Sequence, residues 1–305
     1  MNSNIPRRVF LTQLIALLTC LFAVSLDSSR AIAAGKIRLG KAQGAAWTFL
    51  PANVGLTQGL FAKYGLDIEV IDLAGDAKLQ QAFAADSIDI GLGSGPGLAF
   101  VAKGSPAIGV AAFAGAPRNI SATVLIDSPI TSVDQLKGKL VSVSTVGSLS
   151  DWLAKQMAIA SGWGPDGIKT TALGAISNSV AALVAHQTDG AMLATEASFQ
   201  LEEQKKSRFL VGMDKYAPHF ITHVVYAQRQ LVARDPHLVG DFLKAFFGSI
   251  ALVKSNKQMT SDLAEQVLHQ SPAVASRTYD YEVSMLLDDG SFDPRAVDVL
   301  RRPVP

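Results

Sequence analysis

The chain repeats one alternation of short apolar runs and helical stretches about 100 residues apart. The first pair of matching segments is KIRLGKAQG at 36–44 and KLVSVSTVG at 139–147, at an offset of 103 residues. Two further pairs follow in the same order, at offsets of 102 and 100 residues: GLDIEVIDLAG with GIKTTALGA, and FAADSIDIGLGS with LVAHQTDGAMLA. A βαβαβ unit that occurs twice predicts two similar α/β lobes, each built on a mixed, mainly parallel sheet.

Strands between and after the repeats predict that the chain crosses twice between the lobes. Two strands flank Gly115 and Pro117, and another follows the second repeat in HFITHVVYAQRQLV. We therefore expect a discontinuous lobe 1 of residues 34–118 and 223–305, and a lobe 2 of residues 119–222, joined by a two-crossing hinge. Two later helical stretches, DPHLVGDFLKAFFGSIALVKSN and MTSDLAEQVLHQ with its Ser-to-Glu capping pattern, are expected to pack on lobe 1.

Residues 1–33 have the composition of an export signal. Arg7 and Arg8 precede the apolar run VFLTQLIALLTCLFAVSL, and Ala31 and Ala33 supply small residues for cleavage near Ala33. The arginine pair leaves both general secretion and twin-arginine export open. Cys20 is the only cysteine, and its lipidation also stays open. Cleavage after Ala33 leaves a cysteine-free chain, which we expect to be periplasmic or otherwise extracytoplasmic.

Composition and motifs narrow the classes of partner and cofactor. The chain has 27 Lys and Arg against 26 Asp and Glu, without a dense basic stripe, which disfavours nucleic acid as a partner. No Gly-x-Ser-x-Gly elbow and no Walker lysine motif is present, which disfavours hydrolases and nucleotide-hydrolysing enzymes. The glycines of DIGLGSGPGLAF miss the dinucleotide fingerprint, so this loop predicts a tight strand-to-helix turn instead. We expect a monomer with neither a cofactor nor a metal.

Four segments spread over the chain carry a family resemblance. In order they are GLTQGLFAKYGLDIEVI, LQQAFAADSIDIGLGS, SPITSVDQLKGKLVSVSTVGS and ALVAHQTDGAML. They resemble the solute-binding proteins of nitrate, sulfonate and taurine (NitT/TauT) type ABC importers. The resemblance implies a type II periplasmic binding protein fold, with a small organic anion of the sulfonate, taurine or nitrate class closed between two lobes. It also implies delivery of that ligand to an ABC permease driven by a separate ATPase subunit.

Two other functions remain open. One is an enzyme on the same fold, similar to the thiamine-pyrimidine-forming enzymes or to porphobilinogen deaminase. The chemistry of those enzymes depends on cysteine, which the chain behind residue 33 lacks. The other is a ligand-binding partner of a membrane sensor.

Ligands of open α/β sheets bind beyond the carboxyl ends of the strands, which places the candidate site in the loops after Leu39, Gly93, Val143 and Leu193. In TVGSLSDWL, Gly147 allows close backbone approach, and Ser148 begins a helix whose N–H groups attract an anion. A simple helix cap explains Ser148 equally well. The candidate ligand-binding residues are Gln43, Gly44, Trp47, Thr48, Ser94, Gly95, Gly115, Gly147, Ser148, Leu149, Thr195 and Glu196.

Some of these residues have alternative roles. Trp47 offers a flat apolar face to a ligand or packs in the core, and Glu196 binds a ligand amine or caps a helix. Lys41 and Arg118 are expected on the solvated surface. A bound anion would then be held by neutral hydrogen-bond donors. His219 and His223 lie on a predicted strand, so their spacing does not favour a metal site.

Overall fold

The computed structural model describes residues 35–301. The predicted signal peptide, with Arg7, Arg8 and Cys20, lies outside the described residues. Within the described range, no helix has both the length and the apolarity needed to span a bilayer.

Ten strands in residues 35–301 form two sheets of five strands each. The strands are β1 (Gly35–Lys41), β2 (Leu66–Asp72), β3 (Ile90–Ser94), β4 (Ala107–Ala114), β5 (Ile120–Leu125), β6 (Leu140–Val143), β7 (Lys169–Ala172), β8 (Gly190–Ala194), β9 (Ser207–Gly212) and β10 (His223–Gln228). The helices are α1 (Leu50–Thr57), α2 (Leu60–Lys63), α3 (Asp76–Ala84), α4 (Leu98–Ala102), α5 (Leu149–Ala160), α6 (Ile176–Val184), α7 (Thr195–Glu203), α8 (Arg229–Arg234), α9 (Pro236–Ser255), α10 (Lys257–Leu268), α11 (Pro272–Glu282) and α12 (Pro294–Arg301).

The two sheets have the same topology. The first sheet has the order β2-β1-β3-β10-β4, and the second has the order β7-β6-β8-β5-β9. In each sheet the first three strands are parallel, whereas the fourth strand runs antiparallel to both of its neighbours. We call the first sheet with its packed helices lobe 1 and the second lobe 2. The prediction of two similar α/β lobes with mixed sheets is confirmed, whereas the predicted lobe boundaries stay a prediction.

The glycines of β3 allow a helix to pack closely on this central strand. Every residue of β3 and of β8 is buried, as expected for strands covered on both faces. A Cβ atom at Gly91 would lie 2.9 Å from the Phe83 ring, and one at Gly93 would lie 2.7 Å from a Leu79 methyl group. Both contacts come from α3, so these glycines allow the helix to pack closely on β3.

Four helices of the described range, α5, α9, α10 and α11, begin at a residue whose side chain caps them. Ser148 caps α5 by accepting from Asp151 N, and Asp235 caps α9 by accepting from Leu238 N at 3.0 Å. The predicted capping pattern in MTSDLAEQ is wrong, because α10 begins earlier, at Lys257. Its cap is Asn256, whose Oδ1 accepts from Met259 N at 3.1 Å. Asn caps helices as well as Ser does, so the helix begins at the upstream residue.

Each lobe has its own apolar core. In lobe 1, the Phe246 ring stacks on Phe242 at 5.9 Å and meets Phe113 edge-on at 5.2 Å, so α9 is fixed to the sheet. In lobe 2, Leu153 and Met157 of α5 are fully buried in the second core. Separate cores allow the lobes to move as units about the crossings between them.

Helices α9 and α10 pack on the core of lobe 1, as their sequences predict. Helix α11, in contrast, bridges the two lobes. Its Tyr279 belongs to the core of lobe 1, and its Arg277 guanidinium lies 3.6 Å from the centre of the Phe199 ring in lobe 2. Arg277 also pairs with Glu202 at 3.0 Å. Helix α7 therefore offers α11 an aromatic and an acidic side chain in lobe 2. The helical spacing of α11 alone does not reveal this contact.

Candidate functional site

A small cavity lies between the two lobes at the ends of four strands. Its walls include Ala42 after β1, Ser94 at the end of β3, Ser144 after β6 and Ala194 at the end of β8. These are the four loops that the strand-end rule selects. The complete lining is Ala42, Gln43, Ala46, Phe49, Gly75, Asp76, Ser94, Asn119, Ile120, Ser144, Leu149, Ser150, Ile176, Met192, Ala194 and His223.

A wider surface groove of about 540 Å³ lies elsewhere, on the α7 and α11 side of the molecule. It is lined by residues such as Phe199 and Tyr281, and no strand end of either parallel unit reaches it. We therefore place the candidate site in the smaller cavity between the lobes.

The lobes touch each other across this cavity. Gln43 Nε2 in lobe 1 donates to Gly174 O in lobe 2 at 3.2 Å. Gly75 has φ +110°, and a Cβ atom there would lie 2.6 Å from the Thr145 side chain, so only glycine fits. The cavity volume is about 60 Å³, well below the roughly 300–1,000 Å³ of most ligand pockets, because the lobes are closed on each other.

The wall from lobe 2 is a hydroxyl-rich loop at the start of α5. Ser144 Oγ lies 2.9 Å from Ser148 Oγ and 3.1 Å from Ser150 Oγ. Ser150 Oγ also accepts from Ser144 N at 2.9 Å, and Gly147 N donates to Asp151 Oδ2 at 3.0 Å. Hydroxyl donors together with the positive end of the helix dipole make this wall suited to an anionic group.

The wall from lobe 1 contains an acidic side chain, Asp76, which the sequence analysis missed. Asp76 is the first residue of α3 and is buried. Its carboxylate accepts from Ser94 N at 2.8 Å, from Ser94 Oγ at 2.7 Å and, across the cleft, from Leu149 N at 3.4 Å. Burial raises the pKa of Asp76, while these three donors oppose that shift. The signal in the sequence that could have identified Asp76 is its position after a predicted strand, at the start of a helix.

Asn119 and His223 form the part of the cavity next to the interlobe crossings. Asn119 lies just before β5, and His223 begins β10. Asn119 Nδ2 is 2.8 Å from His223 Nε2, and His223 Nδ1 is 3.0 Å from Gly93 O. Burial lowers the pKa of His223 to about 4, so the imidazole is neutral at physiological pH.

Trp47, Thr48 and Glu196 meet next to the cavity rather than in its lining. The buried Glu196 Oε1 accepts a hydrogen bond from Trp47 N at 2.7 Å. This bond joins α7 of lobe 2 to the helical turn Trp47–Phe49 that precedes α1 in lobe 1. Thr48 Oγ1 donates to Glu282 Oε2 at 3.4 Å. Burial raises the pKa of Glu196 to about 7. Burial, together with the nearby Glu196 charge, raises the pKa of Glu282 well above its usual range.

Of the twelve predicted binding residues, Gln43, Ser94 and Leu149 line the cavity. Ser148 and Gly147 flank it on the α5 loop. Thr195 lies at the crossing between lobes, where its Oγ1 donates to Arg118 O at 2.7 Å. The residues outside the lining are Gly44, Trp47, Thr48, Gly95, Gly115, Gly147, Ser148, Thr195 and Glu196. A direct ligand contact for any of the twelve stays a prediction.

The two basic residues near the cleft have different surroundings. Lys41 is only 2% exposed, contrary to the expected solvated position, because its Nζ pairs with Asp72 at 3.1 Å and donates to Gly44 O. Arg118 is partly exposed, and its Nε lies 3.5 Å from Asp214. Neither residue is in the cavity lining, so this part of the described chain presents no basic side chain to a ligand.

The sequence matches the family model described as NMT1/THI5 like over residues 47–258, which is more than half of the chain. None of the curated proteins matches it.

Solved structures share the fold at low sequence identity. The alkanesulfonate-binding protein SsuA from Xanthomonas axonopodis pv. citri, bound to MOPS, is 19% identical with a TM-score of 0.76, over 87% of this chain and 90% of that chain. The Candida albicans CA3427 gene product, described as having the generic periplasmic binding protein fold, is 15% identical with a TM-score of 0.72, over 87% of each chain. The periplasmic nitrate-binding protein NrtA from Synechocystis PCC 6803 is 14% identical with a TM-score of 0.67, over 86% of this chain and 74% of that chain. The two-lobed α/β architecture is therefore that of periplasmic binding proteins.

Proposed function

Because this chain belongs to the NMT1/THI5-like family, we propose that it is an exported solute-binding protein that captures a small solute between its lobes and delivers it to an ABC permease. The cavity at the facing strand ends of the two similar sheets carries this proposal. A ligand that contacts both walls favours the closed arrangement over an open one, which couples binding to closure about the two crossings. The same two-lobed fold occurs in proteins named for binding alkanesulfonates and nitrate, which supports binding rather than catalysis.

We further propose that the solute is a small organic anion of the sulfonate, taurine or nitrate class. Support comes from the hydroxyl-rich loop of Ser144, Ser148 and Ser150 and from the N-terminus of α5 behind it. Neutral donors of this kind bind anions without a counter-charge when they are held in place beforehand. We infer that this hydroxyl-rich loop, rather than a basic side chain, holds the anionic group of the solute.

A thermal-shift screen of residues 34–305 tests the proposal. The panel contains alkanesulfonates, taurine, nitrate, aromatic carboxylates and pyrimidines. A ligand present at 100 times its Kd stabilises the folded protein by about 2.7 kcal/mol, which raises the melting temperature by several degrees. Stabilisation by an organic anion supports the proposal, and stabilisation by none of these compounds contradicts it.

A matched pair of cavity variants ties any binding to this cleft. Met192 lines the cavity, so Met192→Trp fills it, whereas Met192→Leu keeps its volume and apolar character. Loss of stabilisation in Met192→Trp, with retention in Met192→Leu, supports binding in the cavity. Equal stabilisation of both variants places the ligand elsewhere.

Delivery to a permease has its own test. Uptake of the stabilising ligand is compared between cells with and without this gene. Unchanged uptake at ligand concentrations near Kd contradicts a transport role.

A further inference from the structure

The Gly93 carbonyl fixes the tautomer of His223. A carbonyl oxygen only accepts hydrogen bonds, so the Nδ1 atom of His223, 3.0 Å away, carries the proton and donates. His223 is 4% exposed, and the rings of Phe113 and Phe49 lie 5.3 and 4.9 Å from its own. These apolar surroundings keep the imidazole neutral, and burial lowers its pKa to about 4. The other ring nitrogen, Nε2, is therefore an acceptor.

The tautomer in turn fixes the side-chain amide of Asn119. An acceptor at His223 Nε2 requires a donor, and Asn119 Nδ2 lies 2.8 Å from it. The reversed amide would bring two acceptors together. Asn119 Oδ1 therefore points away from the imidazole.

Asn119 Oδ1 is a buried acceptor without a protein donor. Asn119 is 3% exposed, and none of the described residues donates a hydrogen bond to its Oδ1 atom. Asn119 lines the cavity, as do His223 and Asp76. An ionised Asp76 only accepts hydrogen bonds, here from Ser94 N and Ser94 Oγ, and supplies no donor. A buried acceptor of this kind is unfavourable until a donor reaches it.

We propose that the bound solute donates an O–H or N–H hydrogen bond to Asn119 Oδ1, so that the cleft selects organic solutes with such a group over bare oxyanions and over analogues without one. This inference rests on the proposed solute-binding function and narrows its ligand class. Combined with the hydroxyl-rich loop, it describes a two-ended ligand with an anionic group and a separate hydrogen-bond donor. Nitrate lacks the donor and is disfavoured.

Matched ligands measure the effect of the donor by isothermal titration calorimetry. Ethanesulfonate, isethionate and taurine share a two-carbon sulfonate and end in a methyl, a hydroxyl and an ammonium group. Propionate, 3-hydroxypropionate and β-alanine form the corresponding carboxylate series. We expect a donor-bearing member to bind about tenfold or more tightly than the methyl-ended member, since a site built around a polar group discriminates against ligands that leave it unpaired. Equal or tighter binding of the methyl-ended member overturns the inference.

A variant locates the selectivity at Asn119. Asn119→Leu removes the acceptor, so the roughly tenfold preference should fall to about onefold. Met192→Leu, in the same cavity but apolar, should retain the preference. A preference that survives in a folded Asn119→Leu protein overturns the assignment to this residue.

The tautomer of His223 is measured without any ligand, by the ¹⁵N chemical shifts of its ring nitrogens at pH 7. We expect a protonated Nδ1 and an unprotonated Nε2. A protonated Nε2 reverses the amide of Asn119 and overturns the inference, even if Asn119→Leu fails to fold. If no anion of the thermal-shift panel stabilises the protein, the small-anion proposal fails, and this measurement still decides the orientation of the acceptor.

Discussion

The buried glutamates between the lobes predict a specific pH dependence of stability. The Glu196 carboxyl group accepts a hydrogen bond from Trp47 N, and burial raises its pKa from 4.5 to about 7. A carboxyl group with a raised pKa binds its proton more tightly in the folded state than in the unfolded chain. Its contribution to stability is therefore complete below pH 4.5 and is lost as the pH rises through about 7. One pKa unit corresponds to about 1.4 kcal/mol, so the loss amounts to about 3 kcal/mol.

The perturbation is Glu196→Gln, which keeps an oxygen acceptor for Trp47 N and removes the titration. Urea unfolding at pH 4.5, 6, 7 and 8 gives the free energy of unfolding of each protein. We expect the wild type to lose about 3 kcal/mol more than the variant between pH 4.5 and pH 8. Glu265→Gln, a half-exposed glutamate on α10, serves as the control and should follow the wild type. Parallel curves for wild type and Glu196→Gln refute the reasoning.

Three further perturbations follow from the geometry of the cleft and core. Gly75→Ala adds a Cβ atom at φ +110° against Thr145, so thermal unfolding should show a loss of about 1–3 kcal/mol, and an unchanged melting temperature contradicts the close approach. Ser150→Ala removes a hydroxyl from the hydroxyl-rich loop and should raise the Kd of an anionic ligand about tenfold in calorimetry, whereas an unchanged Kd excludes this loop as the binding site of the anionic group. Phe246→Ala should lower the free energy of unfolding in urea by about 3–5 kcal/mol without affecting the hydroxyl-rich loop, and a loss below 1 kcal/mol contradicts its place in the core.

The repeated unit made the sheets predictable from sequence. Hydrophobic patterns are local, and β1, β2 and β3 recur as β6, β7 and β8 with the same neighbours in each sheet. The strand-end rule then located the cavity without side-chain information, because parallel strands bring their carboxyl ends to one edge. The repeat of the strands and the position of the cavity both follow from the order of the elements along the chain.

The parts that sequence missed depend on contacts between distant segments. Lys41 is buried because Asp72 of the neighbouring strand pairs with it, and α11 bridges the lobes because α7 offers Phe199 and Glu202. The role that we propose for Asn119 rests on hydrogen bonds that link it through His223 to Gly93, three residues that no local pattern connects. Tertiary partners of this kind determine polar positions that periodicity leaves open.

The central claim is that a solute binds in the cavity between the lobes, and two methionines test it directly. Met192 lines the cavity, whereas Met157 is fully buried in the core of lobe 2. Titration of ¹³C-methyl-methionine protein with a stabilising ligand, followed by NMR, should shift the Met192 resonance saturably while Met157 changes far less. A ligand that stabilises the protein and leaves the Met192 resonance unmoved contradicts binding in this cavity.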